Sequence, residues 1–252
     1  MRDDYAKAYH DLYTHHWWWR ARERFILDVL KASRPAAGWK KILDVGCGDG
    51  LFFDQLLHFG DVEGVELSES LVSNNGPHSS RIHVGNFDQS LNLSTDFSLI
   101  LMLDVLEHMT DPVSALRFAL ELLAPEGKLL VTVPAFNILW TNHDTINNHV
   151  TRYTKASFRE TARRAGLQVE TDRYFFHWLF PVKMVSRVAE RMVRSEPRPP
   201  RVPPVWVNKP LYWFSMLENK TCSNLPLSFG SSLLVLGSRA VTTSDSSHRA
   251  TG

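Results

Sequence analysis

The sequence predicts an α/β protein built on a doubly wound, mostly parallel sheet. Strand-like apolar runs alternate with helix-like segments from residue 41 to about residue 172. The first of these runs ends in a glycine-rich turn that leads into a helix pattern. The run Phe97–Leu103 is apolar throughout and lies between Asp96 and Asp104, as expected for a central parallel strand that is covered on both faces.

Composition limits the class of protein. The chain has 252 residues, a formal net charge of +1 and 44% hydrophobic residues, which suits one large domain or one domain with an appendage. A near-neutral charge argues against a non-specific nucleic-acid binder, so no nucleic-acid partner is expected. The two cysteines, Cys47 and Cys222, cannot form a disulfide framework, and a reducing cytoplasm is the expected compartment. The polar N-terminus is not a signal peptide, and no apolar run is long enough to span a membrane.

The order of elements follows from periodicity and from turn residues. A leader helix is expected over residues 5–30, where Phe25, Ile26 and Val29 recur at helical spacing. Pro112 at the start of one later helix and Gly166 at the end of another set their limits. The predicted strands span residues 41–45, 62–67, 82–84, 97–103, 128–133 and 167–172, and the predicted helices between them span residues 51–59, 68–75 (capped by Ser68), 112–123 and 154–165.

The C-terminal third has a different character. Residues 174–193 are aromatic and amphipathic, residues 197–204 form a Pro/Arg spacer, and residues 210–219 predict another short aromatic helix. Residues 233–236 predict a last strand that pairs antiparallel, and residues 239–252 predict a disordered tail.

The glycine turn predicts the kind of ligand. Its spacing is G-x-G-x-G after Asp44, and Leu51 stands where a dinucleotide fingerprint needs glycine. A pyrophosphate prefers a helix N-terminus without nearby anions. Because Asp44 and Asp49 flank this turn and no Lys or Arg does, a cationic ligand such as S-adenosylmethionine (SAM) fits better than NAD.

Residues after the next strands complete the predicted cofactor site. Glu66, at the end of the second strand, can accept both ribose hydroxyls of an adenosine. Leu67 can pack on the adenine face, and Asn86 and Phe87 are placed to meet the adenine edge.

Four segments in this order resemble the class I SAM-dependent methyltransferases, particularly the branch with the ubiquinone-type O-methyltransferases. They read DVGCGDG, GVELSE, LMLDVLEHMTDP and LLAPEGKLLVTVP. A bacterial subgroup is similar on both sides of them, in the leader His16-Trp17-Trp18-Trp19-Arg20-Ala21-Arg22, in the loop with His143-Asp144, His149 and Arg152-Tyr153-Thr154, and in residues 225–233. Asn86, where the family often has Asp, and Glu126, where it often has Gly, depart from the pattern.

The resemblance implies a Rossmann-like methyltransferase fold. It implies seven strands, the last of them antiparallel, with an N-terminal helix and a helical insertion before the last strand. The expected segments are a leader (1–38), a SAM-binding core (39–173), a helical lid (174–230), a closing strand (231–238) and a tail (239–252). SAM is the expected cofactor, and the expected cofactor-binding residues are Asp44, Gly46, Cys47, Gly48, Glu66, Leu67, Asn86, Phe87, Leu103 and Asp104.

Four residues are candidates for catalysis: His108, His143, Asp144 and His149. The last three share one loop beyond the fifth strand, which faces the ligand crevice of a doubly wound fold. They can supply a general base with a carboxylate that fixes its tautomer, a metal site, or ordinary polar loop residues. The prediction adopts the general base and no metal.

The expected function is SAM-dependent O-methylation of a small-molecule or lipid-linked acceptor. The alternatives are a non-catalytic SAM-binding regulator or scaffold, and methylation of nitrogen or of nucleic acid. Residues 174–222 join two aromatic clusters with a basic stripe, which predicts a lid and peripheral contact with the inner face of a membrane. The aromatic residues could instead fill the core, with the basic residues solvated; these are Lys183, Arg187, Arg191, Arg194, Arg198 and Arg201.

Overall fold

A computed structural model describes residues 3–193, 200–222 and 225–240. In this part of the chain a seven-stranded sheet has the order β3-β2-β1-β4-β5-β7-β6. The predicted tail beyond residue 240, and Arg194 and Arg198 of the basic stripe, lie outside the described residues. The strands are β1 (Lys41–Val45), β2 (Asp61–Glu66), β3 (Ile82–Val84), β4 (Phe97–Leu103), β5 (Leu123–Pro134), β6 (Leu167–Phe175) and β7 (Ser232–Arg239), and the helices are α1 (Asp3–His15), α2 (Trp17–Ala32), α3 (Phe53–Leu56), α4 (Pro112–Leu122), α5 (Asn142–Ile146), α6 (Lys155–Ala165), α7 (Leu179–Val193) and α8 (Val205–Cys222).

The sheet confirms the predicted fold class. Strands β1 to β5 pair in parallel, while β7 pairs antiparallel with both β5 and β6. Six strands therefore share one direction, and their carboxyl ends meet along one edge of the sheet. Strand β6 continues to Phe175 and β7 to Arg239, slightly past the predicted segment limits at 173 and 238.

Both faces of the sheet are covered, which explains the continuous apolar run in β4. Phe97, Ile100 and Met102 pack on one side with α4 and α6. Leu99 and Leu101 pack on the other side with α2, α3 and the start of the C-terminal insertion. An alternating strand would suit a sheet with one wet face, whereas this strand needs apolar residues at every position.

Three predicted helices differ from the observed ones. The leader helix is broken at His16, whose extended backbone and imidazole cap α2 by accepting the N–H of Trp18. The helix expected over residues 51–59 is reduced to the single turn α3. Residues 68–75 form only a short 3-10 turn without a Ser68 cap, because the Asp49 carboxylate accepts both the N–H and the hydroxyl of Ser73 and draws the segment towards the glycine turn.

The C-terminal insertion packs on the leader. Trp17 contacts Trp178 with 5.3 Å between ring centroids, and α8 lies along α2. Asn208 on α8 fixes the break between α1 and α2, since its carbonyl accepts the N–H of Trp17 at 2.8 Å and its amide donates to the carbonyl of His15 at 2.7 Å. No helix of the described residues is long and apolar enough to cross a membrane.

Replacing Asn208 by Ala is expected to destabilise the protein by about 1–3 kcal/mol, because two backbone groups at the helix break lose their partners. Thermal unfolding of N208A should shift down by several degrees. The neighbouring Lys209 is exposed, and K209A is the matched control that should unfold like the wild type. Equal unfolding of the two variants would contradict a fastening role for Asn208.

Candidate active site

A cleft of about 1650 Å³ opens at the carboxyl edge of the parallel strands. This is the edge at which doubly wound sheets bind ligands. The turns after β1, β2, β3 and β4 form its floor and one wall, and the leader, the loop after β5 and helix α7 close it. The predicted site residues that line it are Gly46, Gly48, Glu66, Leu67, Asn86, Phe87, Leu103, Asp104, His108, His143 and His149.

The glycine turn is built for close approach of a ligand. Gly46 and Gly48 have φ of +75° and +57°, which side chains rarely adopt. A β-carbon on Gly46 would lie 2.7 Å from a methyl group of Val105, so the turn and the loop after β4 meet without room for a side chain. The ring of Tyr9 from α1 covers Gly48 from the solvent side. Burial raises the pKa of Tyr9 to about 12 and keeps its hydroxyl protonated.

The Glu66 carboxylate is buried at the bottom of the cleft, with 7% exposure. One oxygen accepts the N–H of Gly48 and the other the N–H of Ser68, both at 2.9 Å. These bonds fix the carboxylate next to the glycine turn. Each oxygen keeps a further acceptor site, so the group can receive two ribose hydroxyls, as predicted.

Two predicted cofactor residues lie beneath the turn and do not line the cleft. Asp44 is 4% exposed, and burial raises its pKa to about 7, although Arg22 lowers it. Cys47 packs its sulfur against β2, where a β-carbon on Gly64 would come within 2.5 Å of it. Burial raises the pKa of this thiol, so it is not a reactive thiolate. Asp44 can act on a cationic ligand only through its charge, and Cys47 supports the turn by packing.

The adenine end of the predicted site is apolar and partly open. Leu67 is 68% exposed and lines the cleft, as do Asn86 and Phe87. Phe87 is held by an edge-to-face contact with Phe118 of α4, at 4.9 Å between centroids. An exposed Leu beside a supported aromatic ring suits a flat ligand that lies between them.

Arg22 is a buried arginine that lines the cleft, and the sequence analysis gave it no role in the site. Arg22, from the leader, pairs with Asp104 at 2.9 Å and donates to Thr132 at 3.0 Å, and Thr132 in turn donates to Asp104. Its Nε is buried without a hydrogen-bond partner. Arg22 therefore compensates the acids around the glycine turn and keeps donor capacity. Its guanidinium also lies over Trp18, which lines the cleft.

The loop after β5 is organised around Asp144. This carboxylate is fully buried and accepts the N–H of Thr141, two guanidinium bonds from Arg152 and one bond from His149. Burial would raise the pKa of Asp144, but the bonds from His149 and Arg152 outweigh it and hold that pKa well below its usual value. Asp144 is therefore a permanent anion that orients its neighbours.

His149 and His143 have different surroundings. His149 uses Nδ1 to bond Asp144 at 2.8 Å, which leaves Nε2 facing the cleft region near Glu107. His143 is half-buried, and its desolvation together with nearby Lys183 lowers its pKa to about 3. An imidazole of that pKa is a weak proton acceptor near neutral pH. The arrangement thus favours His149 over His143 for general-base chemistry.

Glu107, His108 and His149 form a group that could hold a metal ion. Their ligand atoms all lie within 4.8 Å of one another. Glu107 is fully buried, neither of its carboxylate oxygens has a hydrogen-bond partner, and burial raises its pKa well above the usual value. Two imidazoles and a carboxylate are a common donor set for divalent cations. The sequence analysis predicted no metal and considered only His143, Asp144 and His149 as possible ligands. That prediction stays a prediction.

Lys183 is another cleft residue, which the sequence analysis placed in a basic stripe and not in the active site. It reaches the cavity from α7, and burial together with Arg152 lowers its pKa to about 8. No local pattern assigned Arg22, Glu107 or Lys183 to the cleft, because only the fold brings the leader, the β4 loop and α7 to one cavity. Glu107 and Arg22 did stand inside quoted motifs, in DVLEH and in the tryptophan leader.

Comparison with known sequences matches the chain to a family and to several relatives. The family described as a methyltransferase domain matches residues 17–172. A ubiquinone biosynthesis O-methyltransferase of Xanthomonas axonopodis pv. citri is 30% identical over 57% of this chain and 69% of its own length. One of Coxiella burnetii is 35% identical over 36% of this chain. The chain spans 42% of the length of that Coxiella enzyme.

Solved structures share the fold. A TehB-like SAM-dependent methyltransferase from Corynebacterium glutamicum superposes with a TM-score of 0.54 at 18% identity, covering 94% of this chain and 97% of that one. Phosphoethanolamine N-methyltransferase 2 of Haemonchus contortus, solved in complex with SAM, gives a TM-score of 0.55 at 16% identity, covering 85% of this chain and 52% of that one. Together with the glycine turn, Glu66 and the sheet order, the family match shows that this chain belongs to the class I SAM-dependent methyltransferases.

Proposed function

We propose that the chain transfers the methyl group of SAM to a hydroxyl oxygen of a small-molecule or lipid-linked acceptor. The observation that carries this proposal is the His149–Asp144 pair, which places an oriented imidazole at the cofactor cleft. Similarity to ubiquinone biosynthesis O-methyltransferases supports oxygen as the accepting atom.

The cofactor end of the cleft fits SAM. The glycine turn leaves no space for a side chain, so the backbone itself meets the ligand, and Glu66 receives the ribose hydroxyls. Asp44 and Asp104 supply negative potential near a sulfonium, while Arg22 retains donors for a carboxylate. SAM, when bound, supplies a methyl group that is already electrophilic, so the protein mainly has to align the two reactants.

The acceptor end must remove a proton. Asp144 accepts the Nδ1–H of His149 and so leaves Nε2 unprotonated to receive the acceptor's hydroxyl proton. As that proton moves to Nε2, the acceptor oxygen gains the electron pair with which it attacks the methyl carbon. The C–O bond forms, the C–S bond breaks, and S-adenosylhomocysteine leaves as the neutral thioether.

A second arrangement has support in the same residues. Glu107, His108 and His149 would hold a divalent cation, and the buried carboxylate of Glu107, whose oxygens accept no hydrogen bond, favours this use. Such an ion would supply Lewis acidity that lowers the pKa of a bound hydroxyl. His149 then serves as a ligand that Asp144 orients from behind, which is a common arrangement around protein metals.

Replacing Glu66 by Ala is expected to weaken SAM binding about ten- to hundredfold, because loss of a charged acceptor to buried hydroxyls costs roughly 1.5–3 kcal/mol. Isothermal calorimetry measures the change. Glu69 is exposed and does not line the cleft, so E69A is the matched control. An unchanged dissociation constant in E66A would remove Glu66 from the cofactor site.

Replacing His149 by Ala is expected to lower turnover by about 10²–10⁴-fold while SAM affinity changes little. Turnover is followed as S-adenosylhomocysteine formed with fractionated lipid and small-molecule extracts, and labelled products identify the acceptor. H143A should have a smaller effect than H149A, and H58A, at an exposed position, should have none. Full turnover in H149A would show that the acceptor loses its proton elsewhere.

Metal removal separates the two arrangements. If the imidazole alone accepts the proton, exhaustive treatment with a chelator leaves turnover unchanged. If a cation is required, turnover falls after chelation and returns with added Mg²⁺, Mn²⁺ or Zn²⁺. The turnover of E107Q should then stay low when the same ions are added. Metal content of the purified protein gives an independent measurement.

A further inference from the structure

Helix α7 places polar side chains on its inner side beside apolar ones such as Leu179 and Phe180, and it carries further apolar side chains outside. Lys183 lines the cleft, Arg187 donates to the carbonyl of Ile138, and Glu190 accepts the N–H of Asn142 at 2.9 Å. These residues recur three to four positions apart and therefore share one face. The opposite face carries large apolar residues that are open to solvent, namely Val182, Val185, Val188 and Met192, of which Met192 is 80% exposed. Lys183 and Arg187 of the predicted basic stripe thus lie on the inner side of α7, and the predicted membrane contact of the stripe stays a prediction.

Leu211, Tyr212 and Met216 of helix α8 pack on the core, and the helix is apolar on its outer side as well. Its inner face is fastened by polar contacts: Asn208 binds the leader, Ser215 is buried, and Asn219 donates to Asp28 at 3.2 Å. Its outer face presents Trp206 and Trp213, which are 77% and 68% exposed. Phe214 and Leu217 are exposed as well. Of the aromatic and apolar residues in this insertion, Phe175, Phe176 and Leu179 are therefore core residues, whereas Trp206, Trp213 and Phe214 face solvent.

The start of α7 and the middle of α8 lie next to each other. Trp178, directly before α7, contacts Phe214 of α8 with 5.5 Å between ring centroids. Exposed cations on and next to α8 are Arg201, Lys209 and Lys220. Of the described side chains in residues 179–222, no carboxylate is exposed, because Glu190 and Glu218 are partly buried and bonded inward.

We propose that the outer faces of α7 and α8 dock on an anionic lipid bilayer. Exposed apolar side chains that share one side of a helix, as Trp206, Trp213 and Leu217 of α8 do, mark an interaction site. Tryptophan is the residue that membrane–water interfaces favour, and lysines around it add attraction to anionic headgroups. A second copy of this chain is a poorer occupant, because its own lysines would meet like charges across the contact.

This surface does not depend on the reaction at the cleft. Its apolar residues point away from the cavity, so docking can be present in a chain that transfers no methyl group. It does bear on the substrate, because α7 carries both the docking face and Lys183 of the cleft. An acceptor that is anchored in the bilayer would then meet the enzyme at the surface on which the enzyme sits.

Co-sedimentation of the full chain with vesicles tests the proposal. Binding is expected with phosphatidylglycerol mixed into phosphatidylcholine, weaker with phosphatidylcholine alone, and reduced by salt. W206S/W213S and K209E/K220E should each lower partition into the anionic vesicles by at least about tenfold. All four positions are exposed, so folding, checked by thermal unfolding and SAM calorimetry, should be unchanged.

Matched variants on other surfaces are the controls. K40E/R164E makes the same change in net charge at exposed sites before β1 and on α6, and V84S removes an exposed apolar residue at the sheet edge. Both should bind vesicles like the wild type. The proposal is overturned if the wild type does not sediment at low salt, or if the control pairs lose binding equally. A dimer in gel filtration that W213S converts to monomer would assign the face to a second copy instead.

Discussion

The acceptor side of the site depends on one buried charge. Asp144 has no exposure to water, and an isolated carboxylate in that position would cost several kcal/mol, so it must be fully paired. Arg152 supplies two of the bonds and also donates to the carbonyl of Ala135 at the end of β5. Loss of one partner of such a pair typically costs about 3–5 kcal/mol. The loop after β5 is held in one conformation for this reason, and the orientation of His149 follows from it.

At the cofactor side of the site, several acidic side chains lie close together and outnumber the nearby cations. Asp44, Glu66 and Asp104 lie close enough that each raises the cost of ionising another group nearby, and Arg22 is the cation that offsets them. A positively charged ligand reduces the same repulsion, which gives the cleft an electrostatic reason to bind a sulfonium. The leader is thus part of the site chemically, and its fastening by Asn208 places Arg22 as well as closing the cavity.

The C-terminal insertion leaves many large apolar side chains exposed. Amphipathic helices on a globular core normally bury their apolar stripe. Here α7 and α8 bury apolar side chains such as Leu179 and Met216 together with polar groups that bind the β5 loop and the leader, and further apolar residues remain outside. The insertion therefore connects the acceptor end of the cleft with an external apolar surface, and a methyl acceptor with a lipid tail would be compatible with both.

Local patterns determined the class of fold and the cofactor end. An unbroken apolar strand, a glycine turn and an acid after the second strand are short-range features whose consequences do not depend on distant residues, and all appear where predicted. The position of the antiparallel strand came from resemblance, because pairing order is not encoded in periodicity. The predictions of one unbroken leader helix and of a helix over residues 51–59 were wrong. The cap at His16 interrupts the first, and the second is reduced to one turn, although both segments have helical spacing. Only tertiary structure could bring Arg22, Glu107 and Lys183 to one cavity and decide which way α7 and α8 face. An amphipathic pattern gives a helix two faces but not the side on which its partner lies.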